Sequence, residues 1–366
     1  MSEFDDRLCR TAWYERVLLA LISVFSVVLA LSSSAAWALE RDQGSLIDAQ
    51  ALAYHTPCER WSFAYENDFF VPGGRDQDYT YGMSFSYHSD DISGRMHRPL
   101  ELIDSWLGLD SERSKALAYE AGLYGFTPED TSVVEPNNDD RPYASLLYFA
   151  TSSERIDKQD RKVLRSQISY GVLGLDLVGQ VQNEFHRWIG NEQPQGWHNQ
   201  ISAGGEPTAR YSVALQQLII SGSHWDLRQT KSASVGYLTE ASWALGLRAG
   251  HLNSRWHQFN PDMASYAEAS SRTKLGKSER FFWAGVAVKA RAYNAFLQGQ
   301  FKESAVSYSS SELKHMLLEA WAGYTHGFEN GYYLSYGVRG HSSEVRYGAG
   351  DRAVLWGGVM LGRSYL

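Results

Sequence analysis

Hydrophobic and polar residues alternate along most of the chain after residue 60, which is the pattern of β-strands with one apolar and one polar face. The segment Ala241–Gly250, ASWALGLRAG, is an example. Polar, glycine-containing turns such as VPGGRDQD separate these segments. The pattern predicts twelve strands, at residues 60–70, 79–88, 116–126, 141–152, 162–173, 210–221, 232–250, 280–291, 295–307, 313–327, 331–344 and 352–366.

One stretch departs from this alternation and has the periodicity of a helix. Apolar residues recur every three or four positions in LVGQVQNEFHRWIGNEQPQGW, at Leu177, Val178, Val181, Phe185, Trp188 and Ile189. Gly190 and Asn191 indicate where this helix ends, and Pro194 keeps the following loop from resuming it. The sequence therefore predicts a short helix inside a long loop.

The border of this apolar stripe carries Gln182 and His186, one helical turn apart. Glu192 follows His186 by six residues, and the helix end between them allows Glu192 to fold back. A neutral imidazole near a carboxylate can act as a general base. The alternative is a histidine with a structural role on an amphipathic helix.

The composition favours a barrel in an outer membrane. Aromatic residues make up 13% of the chain, with 22 Tyr, 12 Trp and 32 Gly, and no segment after residue 40 is apolar over 18 positions. Lipid-facing and interior residues alternate in such barrels, and closure removes the unpaired strand edges that lipid cannot solvate. We expect an all-β, twelve-stranded antiparallel transmembrane β-barrel with a short helix in an outer loop. A soluble β-sandwich is the alternative.

Twelve strands with both chain ends in the periplasm put odd-numbered connections outside the cell. The loops 127–140, 174–209 and 251–279 are then predicted to be outer, and the turns at 293–294 and 329–330 periplasmic. The connection 89–115 is long for its periplasmic position, and we expect a small helix there.

The N-terminus has the features of an export signal. Three arginines precede the apolar run 17–31, and Ala36-Trp37-Ala38 matches a cleavage pattern. We expect a signal peptide at 1–38, with an uncleaved anchor as the alternative, a leader at 39–59 and a barrel domain at 60–366. Removal of 1–38 leaves Cys58 without a cysteine for an internal disulfide.

The charge excludes one class of partner. The net charge is −8, and removal of four acids and three bases with 1–38 leaves 38 acids against 31 bases, or −7. A mildly acidic chain of this kind offers no basic surface for nucleic acid.

The predicted topology brings polar clusters to the outer end, at residues 66–68, 76–79, 137–141 and at His186 with Glu192. Carboxylate and amide oxygens are the ligands that hard divalent cations prefer, and Asn67, Asp68 and Glu192 offer them. No His/Cys cluster in the sequence favours zinc. Each of these side chains could instead be a solvated loop residue.

Five short segments together resemble a known family. They are Tyr65–Phe70 (YENDFF), Asp78–Gly82 (DYTYG), Asp139–Ala144 (DDRPYA), Gln182–His186 (QNEFH) and Pro194–Trp197 (PQGW). Over about residues 60–215 the chain resembles the lipid A deacylase family called LpxR. The resemblance implies an outer-membrane barrel with a calcium-dependent (Ca2+) site at its outer rim. It further implies hydrolysis that releases the 3'-linked acyloxyacyl group of lipid A in lipopolysaccharide. We expect the protein to be a monomer.

The resemblance also implies roles for individual residues. His186 is implied as the general base that activates water, Asn67 as the oxyanion donor, Asp68 and Glu192 as calcium ligands with Glu192 also in the catalytic group, and Arg141, Thr80 and Gln182 as substrate-binding residues. The chain departs from the family at Tyr81, where Asn is usual, and at Ser145, where Gly is usual. The alternatives are a phospholipase-type outer-membrane hydrolase and a non-enzymatic barrel or pore.

Overall fold

A computed structural model describes residues 59–71, 78–89, 95–109, 114–157, 161–190, 192–262 and 277–365. All of them belong to one compact unit, Pro57–Leu366. The predicted signal peptide, the leader before Glu59 and Cys58 lie outside the described residues.

The described residues form twelve antiparallel strands that close into a barrel, in which each strand pairs with its sequence neighbours and β1 pairs with β12. The strands are β1 (Arg60–Asn67), β2 (Asp78–Ser89), β3 (Ser114–Thr127), β4 (Ala144–Ile156), β5 (Lys162–Leu173), β6 (Glu206–Ser221), β7 (Trp225–Gly236), β8 (Leu238–His251), β9 (Glu279–Asn294), β10 (Met316–Gly327), β11 (Tyr332–His341) and β12 (Val354–Ser364). The connections contain the helices α1 (Arg98–Trp106), α2 (Asp176–Ile189) and α3 (Ala295–Gln298). The predicted fold class is confirmed, and α1 is the small helix expected in 89–115.

The two faces of the wall differ as a transmembrane barrel requires. On β1 and β2, Phe63 lies directly opposite Phe85, and both are about half exposed on the outward face. The preceding pair, Ser62 and Ser86, points inward and is joined by a 2.7 Å hydrogen bond between buried hydroxyls. Apolar side chains therefore face lipid and polar ones face the interior. Among the described residues, no helix has the length and apolarity needed to span a bilayer.

Aromatic side chains fill the interior near the end of the barrel opposite the chain termini, which we call the outer end. Tyr79 packs against Trp356 with ring centroids 5.1 Å apart, and Phe126 packs against Phe296 of α3 at 5.0 Å. Tyr124 belongs to the same buried cluster, which we call the aromatic layer. It gives the outer end of the barrel a solid apolar core.

The strand number is correct because two errors in the prediction cancel. Residues 232–250 are two strands that reverse at Tyr237, and 295–307 forms no strand because α3 begins there. The reversal needs Gly236, which has φ 132°, and a β-carbon at that position would lie 2.1 Å from the carbonyl oxygen of Ala209. Phe296 turns into the aromatic layer, so the apolar residues after Asn294 fill the interior and do not face lipid.

Because of these two errors, one loop was predicted at the wrong end of the barrel. The connection after His251 lies at the end with the chain termini, so its prediction as an outer loop is wrong, as is that of a periplasmic turn at 293–294. The turn at 329–330 is at the predicted end. The described part of the moved loop enters the interior, where Asp262 accepts a 2.9 Å hydrogen bond from Arg228 Nε and Phe259 packs on Phe281.

Candidate functional site

Helix α2 ends as its sequence predicts and turns a polar edge towards the protein. Gly190 adopts a left-handed conformation (φ 79°), and its N–H donates to the carbonyl oxygen of His186. Val178, Gln182 and His186, each one turn after the last, are buried. Three residues of the predicted apolar stripe lie on the exposed side: Leu177, Val181 and Trp188, the last 82% exposed.

The buried side of α2 lies against the outward face of the barrel wall. Tyr124 and Phe126 flank Gly125 on β3 and point into the aromatic layer. Because successive side chains of a strand point to opposite faces, Gly125 faces outward. A β-carbon at Gly125 would lie 3.4 Å from Val178 Cγ1 and 3.2 Å from Tyr81 Cε1. The Tyr81 hydroxyl donates to the carbonyl oxygen of Val178. The missing side chain at Gly125 therefore lets the helix approach the wall from the lipid side.

The ring of His186 is oriented by the loop that follows the helix. Its Nδ1 lies 2.6 Å from the main-chain carbonyl oxygen of Glu192. A carbonyl can only accept, so Nδ1 carries the proton and the lone pair of the neutral imidazole is on Nε2. The contact with Glu192 was expected through its carboxylate, but the main chain makes it, and the Glu192 side chain is exposed.

Gln182 is held beside His186 by a tryptophan. Its Oε1 accepts a 2.8 Å hydrogen bond from Trp197 Nε1, which fixes the orientation of the amide because the indole can only donate. Gln182 Nε2 is buried and has no hydrogen-bond partner among the described residues. A buried amide donor therefore lies one turn before the histidine, on the same side of α2.

The residues after β1 extend the same outward surface. Tyr65 packs against the cluster of Tyr81, Val178 and Trp197, and Asn67 follows two residues later on the same face of β1. Asn67 Oδ1 accepts from the N–H of Phe69 at 2.6 Å, and its Nδ2 donates to the carbonyl oxygen of Thr80 at 2.5 Å.

Thr80 and Asp68 complete this group of side chains. The Thr80 hydroxyl lies 2.6 Å from that of Thr127, and Asp68, directly after Asn67, is 1% exposed. The structure thus places Gln182 and His186 on the buried side of α2, and Asn67, Asp68 and Thr80 in a second group at the outer end of the barrel.

Arg141 lies elsewhere, on the interior side of the wall. Its guanidinium stacks over Phe126 of the aromatic layer at 4.7 Å, and its Nη1 lies 3.4 Å from Asp78 Oδ1. Arg352 binds the same carboxylate at 2.9 Å and Asp140 at 2.7 Å. Burial alone lowers the pKa of Arg352, but these carboxylates raise it above its ordinary value. The structure does not bring Arg141 to the α2 surface, and substrate binding by Arg141 stays a prediction.

Sequence reasoning missed Arg352 and the strain at Asp78. Asp78 has φ 70°, a conformation that non-glycine residues rarely adopt, and it lies two residues before Thr80. No local pattern marks Arg352, which is distant in sequence from Asp78 and Asp140.

The two departures from the family pattern both contact the connection that carries α2. Tyr81 bonds to α2 directly, as described above. Ser145 donates to Gln200 Oε1 at 2.7 Å, and Gln200 Nε2 lies 3.2 Å from Asp176 Oδ1 at the start of α2. These substitutions therefore add contacts that hold the helix on the wall.

The described residues include some of the ligands that the predicted metal site would need. In the described ranges, no three His, Cys, Asp or Glu side chains converge as a metal site. Asp68 is a buried carboxylate beside the amide of Asn67, and calcium commonly completes its shell with amide oxygens, main-chain carbonyls and water. The chemistry of these donors fits a hard cation, with fewer carboxylates than a fully acidic site has.

The chain matches the family described as outer membrane protein LpxR over residues 21–365. LpxR from Salmonella typhimurium has a similar structure, with a TM-score of 0.64 and 18% identity over 83% of this chain and 99% of that chain. An outer membrane channel from Pseudomonas putida F1 aligns with a TM-score of 0.42 and 8% identity, over 88% and 100% of the two chains. No curated protein matches.

Proposed function

The chain belongs to the LpxR family of outer membrane proteins, and we propose that it is a calcium-dependent lipid A deacylase that hydrolyses the 3'-acyloxyacyl ester. The observation that carries the proposal is the position of His186. Its side chain is buried between α2 and the lipid-facing side of the wall, at the outer end of the barrel. Lipid A is a lipid of the outer leaflet, so its ester bonds can reach this surface without entering the barrel.

The chain's own residues supply acid–base chemistry. His186 Nε2 takes a proton from water as the water attacks the ester carbonyl carbon. The imidazolium then returns a proton to the sugar oxygen as the carbon–oxygen bond breaks and the fatty acid leaves. The Glu192 carbonyl oxygen holds Nδ1–H throughout, so that the imidazolium is also stabilised.

Two amides are suited to the negative charge that develops on the carbonyl oxygen. Gln182 Nε2 is buried one turn from His186, and the Asn67 amide has a second N–H besides the one bonded to Thr80. Preorganised donors of this kind contribute about 2.7–4 kcal/mol each to transition-state stabilisation in related chemistry. Asp68 and Glu192 would hold calcium, which would polarise the ester carbonyl.

A pore is not proposed, because the aromatic layer occupies the interior at the outer end. The exposed side of α2, with Leu177, Val181 and Trp188, also fits a helix in contact with acyl chains rather than one that borders a channel.

The test of the general base is His186→Gln, which keeps a polar side chain and removes the titratable nitrogen. Deacylation of lipid A, followed by mass spectrometry, should fall about 10²–10⁴-fold, while the barrel still folds in a heat-modifiability gel. His198→Gln is the matched control, because His198 is exposed in the same connection. Equal activity of the two folded variants would return His186 to a structural role.

The test of the metal is chelation. Excess chelator should abolish deacylation and added calcium should restore it, while Asp68→Ala should raise the calcium concentration needed for half-maximal activity. Glu135→Ala, at an exposed position of another outer loop, is the control and should leave the requirement unchanged. Full activity in excess chelator would rule out a calcium role.

A further inference from the structure

Helix α1 covers polar side chains on the outward face of the barrel, near the end with the chain termini. Arg155 follows Glu154, which lines the interior cavity, so Arg155 points outward. Tyr211 likewise follows Arg210, which packs inward over Tyr237. A charged side chain on the lipid face costs roughly 2–4 kcal/mol at the membrane midplane. Arg155 is nevertheless only 2% exposed, because α1 lies over it.

A single carboxylate of α1, that of Asp104, makes the polar contacts with the side chains that the helix covers. Asp104 is 0% exposed, and its Oδ2 accepts from Arg155 Nη2 at 2.6 Å and from Ser166 Oγ at 2.7 Å. Its Oδ1 accepts from the Tyr211 hydroxyl at 2.8 Å. The helix therefore joins three neighbouring strands through one buried polar cluster, and Leu100 is buried on the same side.

The other side of α1 is apolar and exposed. Leu102 and Trp106 lie one turn apart and are 72% and 85% exposed, and Met96 and Leu107 flank the helix with more than two-fifths of their surface exposed. This is the reverse of a helix on a soluble protein, which buries its apolar side. An exposed apolar face of this kind marks contact with a protein or a membrane.

The surrounding wall identifies the contact as lipid. Outward-facing Tyr170 on β5 lies nearer the outer end than Ser166 and is 41% exposed. Outward-facing Leu215 on β6 lies nearer the terminal end than Tyr211 and is 38% exposed. Arg155 pairs with Leu164, which pairs with Leu215, so exposed apolar residues lie level with the covered arginine and also nearer the outer end than the cluster. The helix sits within the membrane span of the wall and not below it.

We propose that α1 is an in-plane membrane helix in the inner leaflet of the outer membrane. Leu102 and Trp106 contact phospholipid acyl chains there, and Asp104 closes the polar patch around Arg155 against the lipid. The proposal depends on the outer-membrane position of the barrel and not on the ester chemistry.

The experiment tests whether the exposed side of α1 contacts lipid or water, with one fluorescent probe on α1 and another at a position exposed to water. In a background with Cys9→Ser and Cys58→Ser, Leu102→Cys or Trp106→Cys is labelled with an environment-sensitive dye. The protein is reconstituted in nanodiscs of phosphatidylethanolamine and phosphatidylglycerol, one copy per disc. Asn330→Cys is the matched control, exposed in a turn at the same end of the barrel.

Probes at 102 and 106 should be quenched by doxyl-labelled phospholipid and protected from iodide, and the probe at 330 should behave in the opposite way. Iodide quenching at 102 and 106 equal to that at 330 would overturn the proposal. Protection from both quenchers would also overturn it, because protein would then cover the helix. Asp104→Asn in the 106-labelled chain should lose most of the lipid quenching, since α1 loses its charged contact with Arg155.

Discussion

Gly125 is the position at which the fit of α2 to the wall can be tested most directly. A β-carbon there would lie 3.2 Å from Trp197 Cη2, 3.2 Å from Tyr81 Cε1 and 3.4 Å from Val178 Cγ1. These contacts are tight for one carbon, and the two methyl groups of a valine have no room between them. Overpacking of this kind costs about 1–3 kcal/mol, and the helix can relieve it by moving away from the wall.

A displaced helix takes His186 with it, and this sets the expected effect of Gly125→Val on catalysis. Misplacement of a catalytic group by about 1 Å costs on the order of 10²-fold in rate. We therefore expect lipid A deacylation to fall about 100-fold while the barrel still folds, because the strand pairings of β3 involve only the main chain. Gly125→Ala should lose much less, since its neighbours need to move by only tenths of an ångström.

The control for this variant is Ala121→Val. Ala121 lies on the same strand and the same outward face, four residues earlier, and is exposed. It adds the same two methyl groups to lipid-facing surface without touching α2. Folded Gly125→Val protein with the deacylation rate of Ala121→Val would refute the inference that α2 rests on Gly125 in the active enzyme.

Two further predictions concern the ion pairs at the outer end. Arg352→Gln should lower the free energy of unfolding in urea by roughly 3–5 kcal/mol, because Asp78 and Asp140 lose a shared partner, and Arg352→Lys should lower it less. Glu344 is buried, which alone would raise its pKa, but Arg291, together with His341 and Arg141, lowers it to about 2. A depressed carboxyl pKa stabilises the fold above its ordinary value of 4.5, so stability should decline as the pH falls from there towards about 2. Glu344→Gln should flatten that decline, and an unchanged acid profile would contradict it.

The barrel could be predicted because alternation is a local signal that each strand carries separately. The reversal at Tyr237 could not, because it has no polar turn residues and depends on Gly236 approaching the main chain of β6. The helix at Ala295 was missed for a related reason. Its apolar residues read as a lipid-facing strand, and only the tertiary structure shows that Phe296 fills the interior.

The sequence predicted which residues belong to the candidate site better than it predicted the contacts that they make. Gln182 and His186 are on one side of α2, as the spacing required, and the helix ends at Gly190. The partner of the imidazole is the carbonyl of Glu192, which no side-chain pattern reveals. The place of Arg141 depends on Asp78 and Arg352, which meet only after the barrel closes.

Both helices on the outer surface of the wall follow a rule opposite to that of soluble proteins. Water surrounds a soluble helix, so its apolar stripe is buried, and this assumption underlies the use of an apolar stripe as a guide to the buried side. Lipid surrounds the wall here, so α1 buries Asp104 and α2 buries Gln182 and His186, while Trp106 and Trp188 are exposed. Because lipid contacts the apolar sides of both helices, the ion pair of Asp104 is buried between α1 and the wall. For the same reason, the imidazole of His186 and the amide of Gln182 are buried between α2 and the wall. The proposed catalytic side of α2 is therefore its polar side, because the membrane contacts its apolar one.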